Sequence, residues 1–198
     1  SNFGKISLDY LYIWWWTPTI FTESQLEYLF MIINKYYYTD NMLEKMIEFS
    51  PNTFSEEKVR IISKYGVNKV TFWVQDIDED LMKLNNRKQA KEKIILLFNT
   101  LKKYNIKYIN IDIMAWLKWQ NFNHFKSTLD FILSIKPDDI CLNIFKPTNK
   151  ILYNLSDWYF LSEYYIKERN KMVDYWKKEY SHKEENIIDW EFYLYNFD

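Results

Sequence analysis

Short β-rich runs alternate with amphipathic helical stretches at intervals of roughly 30 residues, a rhythm that restricts the chain to parallel βα units. Parallel neighbours need a long crossover, and a helix is the usual one. Strands are expected near 11–14, 45–49, 67–74, 107–114 and 140–144. The helix after the first strand opens on a capping box, Thr22 with Gln25, and carries Leu26, Leu29, Phe30 and Ile33 on one stripe. Ser55 starts the next helix, with Glu56 and Glu57 in its first turn, and Gly66 ends it. A polar loop then leads to a helix over 89–104, with Asn105 at its C-terminal cap. A further helix over 125–135 stops at Pro137, and a long aromatic helix is expected from Ser156 to about 178. The fold class is α/β, an open portion of a parallel (β/α) barrel. Residues 1–150 are read as the partial barrel and 151–198 as a C-terminal helical extension of the same domain.

Composition narrows the function. With 26 basic and 27 acidic side chains interspersed, the chain has no broad positive field to attract a phosphate backbone, so nucleic-acid binding is not expected. The run Ile94-Ile-Leu-Leu-Phe98 is far short of the roughly 20 residues of a membrane span, and a signal-peptide pattern is missing, so a cytoplasmic protein without membrane contact is expected. Cys141 is the single cysteine: it excludes an internal disulfide and cannot alone hold an iron–sulfur cluster. The opening on Ser1, almost at the first strand, reads as a fragment. Average usage calls for about 14 glycines, yet the chain has 2 glycines and 9 tryptophans.

In parallel α/β folds the ligand sits at the carboxyl ends of the strands, so polar residues there are the first site candidates. Thr17 follows the first strand, Glu48 ends the second, Gln75 follows the third, and Asp112 lies near the end of the fourth. Arg87 stands at the start of the next helix. Singly each has an ordinary reading, as a helix cap, a lysine partner or a surface charge.

Their surroundings give them a shared context. The runs Tyr12-Ile-Trp-Trp-Trp-Thr-Pro-Thr19, Ile47-Glu-Phe-Ser-Pro-Asn-Thr53, Gly66-Val-Asn-Lys-Val-Thr-Phe-Trp-Val-Gln75, Asn86-Arg-Lys-Gln89 and Ile109-Asn-Ile-Asp-Ile-Met-Ala-Trp-Leu117 resemble, in order and spacing, motifs of the oxygen-independent coproporphyrinogen III dehydrogenase family of radical S-adenosylmethionine (SAM) enzymes. The resemblance covers residues 10–147 and implies a radical SAM barrel with a SAM pocket. Trp15, Trp16 and Thr17 would lie against SAM, and Glu48, Gln75, Arg87 and Asp112 would contact it or a neighbouring SAM. Carboxylates and an amide suit ribose hydroxyls and an ammonium group, and a guanidinium suits a carboxylate. The cofactors implied are SAM and a [4Fe-4S] cluster whose ligands are not in this chain. The partners implied are a porphyrinogen or haem and an electron donor for the cluster. In the family reaction the reduced cluster splits SAM, and the radical formed takes hydrogen from a porphyrinogen propionate, which then loses carbon dioxide. Alternatives are a haem-binding, chaperone-like relative and an inactive truncated barrel.

The chain departs from the family where glycine is expected: Trp14, Trp15, Trp16, Trp73, Trp116 and Trp119 stand there. Glycine serves where backbone takes positive φ or a ligand comes close, and an indole would fill that space. A barrel with a new aromatic face, deliberate substitution, and a UGA codon read as tryptophan in place of glycine are the competing explanations. The scarcity of glycine favours the last. As written, the isolated chain is expected to bind neither cluster nor SAM.

His124 and His182 have no metal partner at useful spacing and are read as structural or surface residues, and Cys141 as an ordinary buried thiol. The run Tyr36-Tyr-Tyr38 and the aromatics of 158–175 are read as core before cleft lining.

Overall fold

The computed structural model describes residues 5–14, 17–39, 42–88, 90–144 and 163–180. In chain order they form β1 (Ile6–Ser7), β2 (Tyr10–Ile13), α1 (Glu23–Tyr36), β3 (Tyr37–Tyr38), β4 (Glu44–Phe49), α2 (Glu56–Lys64), β5 (Lys69–Val74), α3 (Glu79–Leu84), α4 (Lys91–Lys103), β6 (Tyr108–Ala115), α5 (Phe122–Ile135), β7 (Asp139–Ile144) and α6 (Glu163–Glu179). A 3-10 turn, Pro18–Ile20, follows β2. The five-stranded sheet has the order β2-β4-β5-β6-β7, so each strand neighbours the next along the sheet, as parallel βα units require. β2 and β4 pair in parallel with Tyr12 opposite Met46, and β4 and β5 with Glu48 opposite Thr71. β1 and β3 make a separate two-stranded parallel ribbon that the sequence pattern did not announce. No helix among the described residues is long and apolar enough to cross a membrane.

The chain divides into two compact units, one of Ser1–Trp73, Ala90–Asp112 and Lys136–Ile140, the other of Val74–Gln89, Ile113–Ile135 and Cys141–Asp198. In the first, alternation on β4 buries Lys45, Ile47 and Phe49 and leaves Glu44, Met46 and Glu48 half-buried on the opposite face. The apolar face of the sheet, with Ile47, Phe49, Val70, Phe72, Ile109 and Ile111, and the helix residues Leu26, Phe30, Val59, Ile62, Leu97 and Leu101 are buried as one core. The second unit buries Met82, Met114 and Leu117 as a cluster, with Phe125, Leu129, Tyr165 and Met172 also out of solvent.

Helix ends follow the local sequence. The Thr22 hydroxyl accepts from the amide of Gln25 at 3.3 Å while the Gln25 side chain accepts from the amide of Thr22 at 3.0 Å, the expected capping box. Ser55 caps α2 through the Lys58 amide, and Gly66, at φ 72, terminates it. Asn105, at φ 57, ends α4 as expected. The loop after β5 is more ordered than its polarity suggested: Asp78 accepts from the Leu81 amide at 2.7 Å and caps α3, whose six residues are too few to show a helical stripe. α4 begins at Lys91, so Arg87 lies in the turn after α3 and does not open a helix. Of the long aromatic helix expected from 156, α6 is the described part; residues 156–162 lie outside the described residues.

Candidate functional site

On the first unit, the sheet face opposite the helices carries a continuous polar row. Glu48 faces Thr71 across the β4–β5 register. Thr71 Oγ1 accepts from Asn110 Nδ2 at 3.3 Å, and the same amide nitrogen donates to Asp112 Oδ1 at 2.8 Å. Three parallel strands therefore place the two carboxylates on one face, two strands apart, which is on the order of 10 Å. Asn110 Oδ1 is buried and has no hydrogen-bond partner among the described residues, so this face holds an acceptor that those residues leave unpaired. Trp73, one residue pair beyond Thr71, turns its indole back along the row: Nε1 donates to Glu48 Oε1 at 2.5 Å.

Thr17 belongs to the same unit. It precedes the 3-10 turn in a left-handed conformation, φ 60 and ψ 81, which is costly for a β-branched residue. The loops after β2 and β4 are tied together beneath it. Thr19 Oγ1 and Thr53 Oγ1 lie 2.7 Å apart, the Ser50 amide donates to Thr19 Oγ1 at 3.2 Å, and the buried Lys58 ammonium donates to the carbonyls of Thr19 and Thr53 at 2.8 and 2.9 Å. A buried cation satisfied by carbonyls holds the strand-end loops without presenting a charge of its own. Sequence reasoning missed Lys58, because a lysine in a helix with an acidic first turn reads as a surface residue.

The second unit holds Gln75 and Arg87. The Gln75 carbonyl accepts from the amide of Met114 at 3.4 Å. The next residue, Asp76, is fully buried: Oδ1 accepts from the Asp78 amide at 2.9 Å and from Thr128 Oγ1 at 3.0 Å, and Oδ2 from Gln120 Nε2 at 2.7 Å. Burial raises the Asp76 pKa, and the hydrogen bonds it accepts offset part of that rise. The backbone leaving Gln75 is thereby fixed. The Arg87 amide donates to the Met82 carbonyl at 2.8 Å, its guanidinium makes no ion pair among the described residues, and desolvation lowers its pKa. His124 takes a structural role, its Nδ1 accepting from the Asn121 amide at 3.2 Å at the start of α5.

Thus the structure sets Thr17, Glu48 and Asp112 on one unit and Gln75 and Arg87 on the other. Trp15 and Trp16 lie outside the described residues. Two other tryptophans of the anomalous set take left-handed backbone, Trp116 at φ 75 and Trp119 at φ 67. That region costs a residue with a bulky side chain about 1–2 kcal/mol.

The donor set suits a ligand with an ammonium group and ribose hydroxyls: two carboxylates and an unused amide oxygen on one face. It does not suit an iron–sulfur cluster, since the chain has one cysteine and, among the described residues, no group of three or more His, Cys, Asp or Glu is placed to hold a metal ion.

Comparison with known proteins agrees with the parallel α/β sheet. Residues 4–132 match the Radical SAM superfamily. The heme chaperone HemW of Bacillus subtilis is 26% identical over 154 residues, which cover 77% of this chain and 41% of that protein. The oxygen-independent coproporphyrinogen III oxidase of Helicobacter pylori is 29% identical over 127 residues, covering 64% of this chain and 28% of the relative. Among solved structures, coproporphyrinogen III oxidase (HemN) from Escherichia coli, described as a radical SAM enzyme, superposes with a TM-score of 0.79 at 20% identity over 89% of this chain and 41% of that one. The chain belongs to the radical SAM superfamily, whose members bind SAM and a [4Fe-4S] cluster. It spans less than half the length of these relatives.

Proposed function

We propose that the protein to which this chain belongs is a radical SAM oxidoreductase resembling coproporphyrinogen III dehydrogenase, acting in the oxidative decarboxylation of porphyrinogen propionates for haem biosynthesis. The polar row from Glu48 through Thr71 and Asn110 to Asp112 carries the reading, because a carboxylate at each end of a ligand-side sheet face matches a cationic, hydroxyl-rich cofactor. In this reading residues 1–150 form the partial barrel and 151–198 a helical extension of the same domain. Glu48 and Asp112 take the ammonium and ribose hydroxyls, Gln75 adds an amide, Arg87 pairs with a carboxylate, and the backbone at 15–17 lies against SAM. The cluster, held by cysteines that are not in this chain, and SAM supply the one-electron chemistry, while the residues here bind and orient. An electron donor is the expected partner.

A second reading, a haem-handling chaperone, is supported by the longer alignment with HemW, 154 residues against 127. Reconstitution of the full-length protein with iron and sulfide separates the two. Formation of 5′-deoxyadenosine with release of carbon dioxide from coproporphyrinogen III is expected. Haem retention without porphyrinogen turnover would replace the dehydrogenase reading with the chaperone one.

A further inference from the structure

Described residues with positive φ include Gly66, at 72, and Trp116 and Trp119, at 75 and 67. The left-handed region is open to glycine and, at a smaller cost than for bulky residues, to asparagine; the other members of the set are Asn86, Asn105, Thr17 and Lys136. A bulky aromatic side chain is an outlier there. Two such outliers lie three residues apart, in a chain with 2 glycines and 9 tryptophans. Burial does not compensate at both: Trp116 is 8% exposed, but Trp119 is 45% exposed, so at 119 little packing offsets the strain. On the first unit Trp73 makes a different conflict, its indole occupying the Glu48 carboxylate.

We infer that the polypeptide made in the cell carries glycine at positions 116 and 119, and at 73, each specified by a UGA codon that the source cell reads as glycine and other genetic codes read as tryptophan. At 116 and 119 the backbone already has the geometry that glycine takes without strain. At 73 the change removes the indole and leaves Glu48 on an open sheet face, which deepens the proposed function and, for that position, rests on it. The inference for 116 and 119 stands on backbone conformation and composition, independently of that reading.

Mass spectrometry of the protein purified from its source decides the matter, because trypsin isolates each position in its own peptide: 70–83, 108–118 and 119–126. Each is expected to be lighter than the written sequence requires by the difference between a tryptophan and a glycine residue, with UGA at the three codons. Tryptophan masses for 108–118 and 119–126, or UGG codons, overturn the inference whether or not the enzyme binds SAM. A recombinant comparison needs no source material. Glycine and alanine variants are made separately at 119 and at 116, so that loss of the indole is common to both members of each pair. Where φ is positive, the glycine variant melts about 2–4 °C above the alanine variant. The opposite order, which ordinary backbone gives, overturns it.

Discussion

Trp73 Nε1 donates to Glu48 Oε1 at 2.5 Å, joining neighbouring parallel strands across the sheet face that also holds Asp112. The indole N–H occupies one acceptor site of the carboxylate and so competes with a cationic ligand for that oxygen. A hydrogen bond to a charged group contributes about 1.5–3 kcal/mol. In full-length, cluster-loaded protein produced with tryptophan at 73, Trp73→Gly is therefore expected to tighten SAM binding by about tenfold or more, measured by calorimetry. Glu48→Gln in the same background should abolish that gain.

Lys58 holds the loops after β2 and β4 through two carbonyls from a buried position. Replacing it with methionine keeps the stem and removes three donors, leaving the carbonyls of Thr19 and Thr53 to find others. A loss of about 1–3 kcal/mol in denaturant unfolding is expected, with faster proteolysis within 50–54. Unchanged cleavage there would show that the loops are held by the Thr19–Thr53 contact.

Asp76 accepts three hydrogen bonds inside the second unit. Alanine would strand the Gln120 and Thr128 side chains, at a cost of about 2–3 kcal/mol in unfolding free energy. The pH sign is distinct from that of most carboxylates. Its folded pKa is raised above 3.8, mainly by desolvation, so the folded state holds the proton more tightly than the unfolded chain, and this group's contribution falls as pH rises from about 3.8 through the folded value. Asp76→Asn should remove that component of the pH profile.

Glu168 has the opposite sign. It is buried on α6, where Oε1 pairs with Lys171 at 2.6 Å and Oε2 accepts from the Phe122 amide at 2.8 Å, at the N-terminus of α5. The Lys171 hydrogen bond and the Phe122 amide hold its pKa below the ordinary 4.5. Its stabilisation is fully present above about 4.5 and is lost as pH falls through the folded value. Glu168→Gln should flatten the acid limb of the stability curve, monitored by thermal midpoints at stepped pH.

Much of the local framework was legible before any fold was known. Thr22 with Gln25, Ser55, Gly66 and Asn105 each act where the sequence places them, because a cap depends on residues three or four positions away. The strands 45–49 and 107–114 were legible from their β-branched and apolar content, and the resemblance of five short runs in register pointed to the family that residues 4–132 match. β1 and β3 were not legible, since two-residue strands leave no period to read. Asp76 was hidden beside Gln75: nothing local distinguishes an acid that caps a turn from one that receives Gln120 and Thr128 from more than forty residues away.

The sequence by itself determined the βα rhythm, the helix ends and the residue types at the strand ends, all set by interactions within a few residues of chain. Only the tertiary structure decided that Glu48, Thr71, Asn110 and Asp112 form one row, because register between strands joins residues that are distant in sequence. It also set the backbone at two of the tryptophans. The sequence records them as a surplus of indoles; the backbone at 116 and 119 takes a φ that favours a residue without a Cβ, and the Trp73 indole donates to the carboxylate beside it.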